Sequence, residues 1–78
     1  MHYRKRQMAR IIQIAILIYK EPAQWTRPML AKQFKVNKAT IQRDIDLLRE
    51  MDISIVPQGK RGYVMHSDFF KELIEGEK

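Results

Sequence analysis

Seventy-eight residues without a cysteine admit one small domain, and they exclude a disulfide scaffold or a thiolate metal site. A chain this short buries only about 60% of the surface its unfolded form exposes, so its core is marginal. The net charge is +6 and uneven: residues 1–66 carry 13 basic and 5 acidic side chains, whereas residues 67–78 are net acidic. A basic body with an acidic tail points to a polyanion partner, nucleic acid before membrane.

Arg4, Lys5 and Arg6 stand in the segment Met1 to Gln7, which reads as a basic arm, the first turn of a helix or a frayed terminus. His2 and His66 lie at opposite ends of the chain and read as solvated residues rather than ligands. Gln7 to Lys20 reads as the first helix. Met8, Ile11, Ile12, Ala15, Ile18 and Tyr19 form one stripe, widened by Ile14 and Ile16. The apolar arc is roughly 200° wide, against the ~100° of a helix that faces a single core. Leu17 falls outside even that arc. The surplus predicts a further contact, either a homodimer partner on this helix or another domain, unless the third helix and the hairpin cover it. The apolar run Ile11 to Tyr19 is interrupted by Gln13 and is far short of the ~20 residues of a spanning helix. No small-residue cleavage site follows it, so a soluble, cytoplasmic protein without membrane contact is expected.

Pro22 stops the first helix. Thr26 then caps a second, with Pro28 in its first turn and Trp25 placed to staple onto Leu30. Leu30, Ala31 and Phe34 are its core residues, while Lys32 and Lys35 stay outside. Phe34 to Asn37 is a turn, with Val36 plugging the angle between two helices. Asn37 to Met51 is the third helix, capped by Asn37, with Ile41, Ile45 and Leu48 on one face. Its other face carries Ala39, Gln42, Arg43, Asp46 and Glu50, with Lys38 and Thr40 beside them. Base-reading groups come early and acids late, which is the polarity of a helix entering a DNA major groove by its N-terminal end. An ordinary amphipathic helix with a solvated face has the same local pattern.

From Ile53 the period changes to two, with Ile53, Ile55 and Pro57 on one face. A loop from Gln58 to Gly62 and a second run, Tyr63 to His66, complete a hairpin with Lys60 and Arg61 at its tip. Ser67-Asp68 can cap a short helix, Phe69 to Ile74, and Glu75 to Lys78 is a frayed end or linker stub. The expected architecture is mainly α with a small hairpin: three helices and a two-stranded wing over residues 1–66, then a C-terminal helix or linker over 67–78.

The run Leu30-Ala31-Lys32-Gln33-Phe34-Lys35-Val36-Asn37-Lys38-Ala39-Thr40-Ile41-Gln42-Arg43-Asp44-Ile45-Asp46-Leu47-Leu48 resembles the winged helix-turn-helix of bacterial transcriptional regulators of the DeoR type. It is most similar to the N-terminal domain of WYL-domain regulators. Gly62-Tyr63 matches their wing strand, and the resemblance spans about Arg10 to Met65. Three positions depart from the pattern. Lys35 replaces the turn glycine, at a cost of about 1–2 kcal/mol if it is left-handed. Asn37 replaces a serine cap. Asp52 stands where a glycine usually follows the recognition helix, and aspartate tolerates that conformation. No ligand-sensing domain follows Lys78, so the resemblance implies an excised DNA-binding domain or a small stand-alone regulator.

The resemblance places Lys38, Thr40, Gln42 and Arg43 against DNA and matches Asp44 to the family's aspartate; Asp44 flanks the core arc, so a structural role in holding the third helix is expected of it. With the helix face and wing added, the expected DNA-binding set is Lys32, Lys35, Asn37, Lys38, Ala39, Thr40, Gln42, Arg43, Lys60 and Arg61. Sequence-specific binding of double-stranded DNA is the expected function. The alternatives are a winged-helix protein–protein or dimerisation module and a regulatory domain of a larger protein, such as the one biotin ligases carry. The chain has no paired carboxylates, no nucleophile beside a base, no phosphate-cradling glycine loop and no metal-ligand spacing. Neither an enzyme activity nor a cofactor is expected.

Overall fold

The computed structural model describes residues 4–66 and Glu75. Helix α1 spans Lys5–Lys20, α2 Arg27–Phe34 and α3 Lys38–Glu50; strands β1 (Ile55–Pro57) and β2 (Tyr63–Met65) follow. The strands pair antiparallel, with Ile55 opposite Met65 and Pro57 opposite Tyr63. Three helices and a hairpin in this order form a winged helix-turn-helix, as the sequence predicts. The basic segment before Gln7 is partly helix, because α1 begins at Lys5. The helix expected over Phe69 to Ile74 lies outside the described residues. Glu75 is helical, and one of its carboxylate oxygens accepts from the Tyr19 hydroxyl of α1. Among the described residues, no helix is long and apolar enough to cross a membrane.

Both predicted caps form. The Thr26 hydroxyl accepts from the Met29 N–H at 3.3 Å, and the Asn37 side chain accepts from the Thr40 N–H at 2.9 Å. Pro28 sits in the first turn of α2, where the missing N–H costs no helical bond. The C-terminal ends of α2 and α3 share one device. Lys35 (φ 57°) and Asp52 (φ 65°) take the left-handed conformation. After each, the next N–H reaches back to a carbonyl in the last turn: Val36 to Ala31 at 3.0 Å and Ile53 to Leu48 at 3.0 Å. This is the Schellman closure, and its usual apolar contact is supplied by Val36, half-buried on the core, and Ile53, buried within it. No glycine is used at either end.

The core is Ile11, Ile14, Ala15 and Ile18 of α1, Leu30 and Ala31 of α2, and Ile41, Ile45 and Leu48 of α3, closed by Ile53, Ile55 and Tyr63. Two expectations about its edges are corrected. Leu17, read as lying outside the apolar arc, is half-buried against the core. Ile12 and Met8, read as part of the stripe, are 53% and 40% exposed. The buried arc of α1 is therefore turned toward Ile14 and Arg10. The reason is electrostatic. Asp44 of α3 is fully buried, and the Arg10 guanidinium donates to both its oxygens, Nε at 2.5 Å and Nη2 at 3.2 Å. That pair draws the Arg10 flank of α1 onto α3. The structural role expected of Asp44 is thereby located, and the carboxylate holds the Arg10 proton more tightly than usual. A further correction concerns Pro57, expected to share a face with Ile53 and Ile55. It is exposed, on the rim of an open cleft.

The hairpin is docked by backbone. The Ala23 N–H donates to the Tyr63 carbonyl at 2.9 Å, and the Tyr63 N–H donates to the Trp25 carbonyl at 2.8 Å. The connection between α1 and α2 thus flanks β2 like a third strand, and Ala23 (φ 62°) bends it into place. Gly62 makes this approach possible. Its φ is 144°, and a β-carbon there would lie 2.7 Å from the Trp25 carbonyl oxygen.

Urea unfolding tests both constraints. Gly62→Ala should cost roughly 2–3 kcal/mol, because backbone has to move. Gly59→Ala, with open space around it, should cost only about 1 kcal/mol for its left-handed φ. Equal losses at the two glycines would show that the Trp25 approach is unimportant. A second comparison concerns the ion pair: Asp44→Ala, which leaves the Arg10 guanidinium unpaired, should cost about 3 kcal/mol or more.

Candidate nucleic-acid interface

The exposed side of α3 is built by rotation about its core residues. Burying Ile41, Asp44, Ile45 and Leu48 leaves Ala39, Arg43 and Glu50 farthest from the core. Lys38, Gln42, Asp46 and Arg49 recur at helical spacing along one flank. Asn37, Lys38, Ala39 and Arg43 are exposed, while Thr40 and Gln42 are half-buried. The Thr40 hydroxyl donates to the Asn37 Oδ1 at 3.0 Å, so cap and threonine form one rigid unit at the start of the helix. Among the described residues, Lys38 and Arg43 have no hydrogen-bonding or ionic side-chain partner.

Two of the three acids of α3, Asp44 and Asp46, are occupied within the protein. Asp44 is taken by Arg10. Asp46 accepts from Arg49 Nη1 at 3.2 Å and from Gln42 Nε2 at 3.0 Å. Arg49 Nε in turn donates to the Ile55 carbonyl of β1 at 2.8 Å. On the other side of Gln42, its Oε1 accepts from Arg27 Nη1 at 2.7 Å, across from the first turn of α2. A polar chain thus runs from α2 through Gln42, Asp46 and Arg49 to the wing. Its Arg27, Gln42 and Arg49 line an open cleft of about 380 Å³ between α2, α3 and the hairpin, together with Gly59 and Tyr63 of the wing. Burial pushes the Tyr63 phenol above its ordinary pKa, and the cations of Arg27 and Arg49 pull partly against that rise.

The predicted site residues divide among three faces. Gln42 shares the central cleft with the wing, and Lys60 and Arg61 stand exposed at the wing tip beside Gly59. Lys35 lies next to Arg6, Ala9 and Arg10 of α1. Lys32 lies next to Trp25 and Met29. Neither of these lysines joins the Gln42 cleft. Two cations that do, Arg27 and Arg49, escaped the sequence reading. Only a weak signal existed for Arg49: Asp46 at i−3 is ion-pair spacing on a helix. None existed for Arg27, which meets Gln42 through space. Among the described residues, no group of three or more His, Asp or Glu is placed to hold a metal ion.

A family model described as an HTH domain matches residues 10–64, the span from Arg10 into the second wing strand. The chain belongs to that helix-turn-helix family. No curated protein matches it. Family membership suggests DNA binding. The matched span includes both halves of the Arg10–Asp44 pair and both sides of the Gly62–Trp25 contact.

The pKa direction of Tyr63 sets a pH dependence. The folded state holds the phenol proton more tightly than the unfolded chain does. The stability this contributes is present below about pH 10, the unfolded value, and is lost as pH rises through the higher folded value. Tyrosinate absorbance during an alkaline titration should show Tyr63 ionising after an unfolded-chain tyrosine; Tyr63→Phe should shrink that late step, leaving the part due to Tyr19, which its bond to Glu75 also raises.

Proposed function

We propose that this helix-turn-helix domain binds double-stranded DNA in a sequence-specific manner as part of a bacterial transcriptional regulator. α3 enters the major groove and the wing lies along the backbone. The observation that carries the reading is the state of α3: its N-terminal half presents Lys38 and Arg43 without internal partners, while Asp44 and Asp46 are already neutralised by arginines. A carboxylate free to face phosphate would oppose binding; Asp44, buried against Arg10, does not, and the exposed Asp46 opposes it less for its pairing with Arg49. The cations of the wing tip, Lys60 and Arg61, are exposed and lie between Gly59 and Gly62, two residues that line the cleft. Asn37, Ala39 and Thr40 form the helix entry, and Lys32 and Lys35 are assigned to flanking phosphates. The Leu30–Leu48 run and Gly62-Tyr63 support a regulator of the DeoR type with WYL-like character. We read the domain as a binding module acting in the cytoplasm, not as an enzyme.

One observation favours an additional association. Met8 and Ile12 are exposed on successive turns of α1, on the side turned away from α3. That apolar edge supports a homodimer or a docked further domain through α1.

Competition binding on selected and random duplexes tests the main reading. Log affinity should fall with log salt with a slope of roughly −3 to −5, set by about five phosphate contacts. Arg43→Ala should weaken the selected site by about 1–3 kcal/mol more than random DNA. Lys60→Ala with Arg61→Ala should weaken both alike and flatten the slope by up to about two units. A slope near zero would favour a protein–protein module. Loss of specificity in the wing double variant alone would make the wing the reader.

A further inference from the structure

The Gln42 amide is held by two groups that leave it no choice of orientation. A guanidinium only donates and a carboxylate only accepts. Arg27 Nη1 therefore requires the amide oxygen on its side, and Asp46 Oδ1 requires the amide nitrogen on the other. Turning the amide over would set its NH₂ against a cation and its oxygen against an anion. Asp46 is itself fixed by Arg49, and Arg49 by the Ile55 carbonyl of the wing strand, so the grip is anchored at both ends in backbone elements.

An amide oxygen has two acceptor sites and an amide NH₂ two donors. The two internal bonds use one of each. What remains is one acceptor beside one donor. The major-groove edge of adenine offers the complement, the N6 amino donor beside the N7 acceptor. Guanine offers two acceptors, O6 and N7, and would set O6 against the Gln42 oxygen. A glutamine free to rotate loses ordering entropy on docking; this one has already been ordered.

We propose that Arg27 and Asp46 are positioning residues that lock Gln42 as a reader of adenine in an A·T pair, with Arg49 holding Asp46 in place. The inference rests on the DNA-binding reading above and adds the base, its edge and the residues outside the reading position that set it. Arg27 and Asp46 act through Gln42.

The test begins with a duplex enriched from a random pool by the wild-type domain. Gln42→Ala identifies the position that Gln42 reads, as the one where base preference is lost. At that position, replacing adenine by 7-deazaadenine, which lacks N7, should weaken wild-type binding about 5- to 150-fold and leave Gln42→Ala unaffected. Arg27→Ala should reduce the preference for adenine there at least several-fold, and Arg27→Lys, which keeps a donor and the charge, should restore much of it. Asp46→Ala supplies the opposed signature: it removes a negative charge, so affinity for random DNA rises, while preference for adenine at that one position falls. Thermal melting confirms that each variant is folded, and the 7-deazaadenine arm needs no variant.

A guanine or pyrimidine at the Gln42 position, or full adenine preference in both Arg27→Ala and Asp46→Ala, overturns this inference while DNA binding stands. Salt-independent binding with no enriched duplex overturns both.

Discussion

The buried pair of Arg10 and Asp44 is the constraint on which the remaining geometry depends. A carboxylate withdrawn fully from water carries a desolvation penalty of several kcal/mol unless it is paired and hydrogen-bonded. Here both oxygens are met by one guanidinium, whose fork matches them. The isoleucines of α1 and α3 supply the apolar burial, but a greasy face tolerates rotation. A two-point ionic contact does not. It sets which flank of α1 meets α3, and so draws Leu17 toward the core and leaves Ile12 outside. On α3 it places Ala39 and Arg43 on the side opposite the core.

The connections carry a second layer of constraint. Lys35 and Asp52 accept left-handed backbone where glycine would be easier, and the Schellman bonds with Val36 and Ile53 hold them there. Each such residue costs about 1–2 kcal/mol, offset by apolar contacts on the far side of the turn. At the wing the logic reverses. Gly62 has no substitute, because the Trp25 backbone occupies the space of a β-carbon. The hydrogen bonds from Ala23 and to Trp25 then make the short hairpin part of a three-segment array, which a lone two-stranded hairpin needs to be stable.

These constraints converge on the cleft beside α3. Arg27 arrives from the first turn of α2, Arg49 from the end of α3 and Tyr63 from the wing. None of the three alone suggests a site. Arg27 orients one glutamine amide and Arg49 pairs with one aspartate, so the N-terminal half of the exposed side of α3 is basic although the helix itself contains three acids. Charge count along the helix understates how positive that side is, since Asp44 lies inside the protein and Asp46 is paired.

Local pattern determined much of this protein. The spacing of Ile41, Ile45 and Leu48, the caps Thr26 and Asn37, the stop at Pro22 and the change of period at Ile53 placed three helices and a hairpin within a few residues of their observed bounds. They could do so because helix periodicity, capping and turn chemistry act between near neighbours in the chain. Lys35 and Asp52 were legible as candidates for left-handed backbone because they stand where the resembled family has glycine. What only the tertiary structure decided is how the helices turn about their own axes and which distant side chains meet. Leu17 and Ile12 exchanged roles because Arg10 found Asp44, 34 residues away. Arg27 became part of the site because it found Gln42, 15 residues away. An amphipathic arc wider than its core leaves rotation undetermined, and the directional contacts that settle it join residues whose separation along the chain carries no periodic signal.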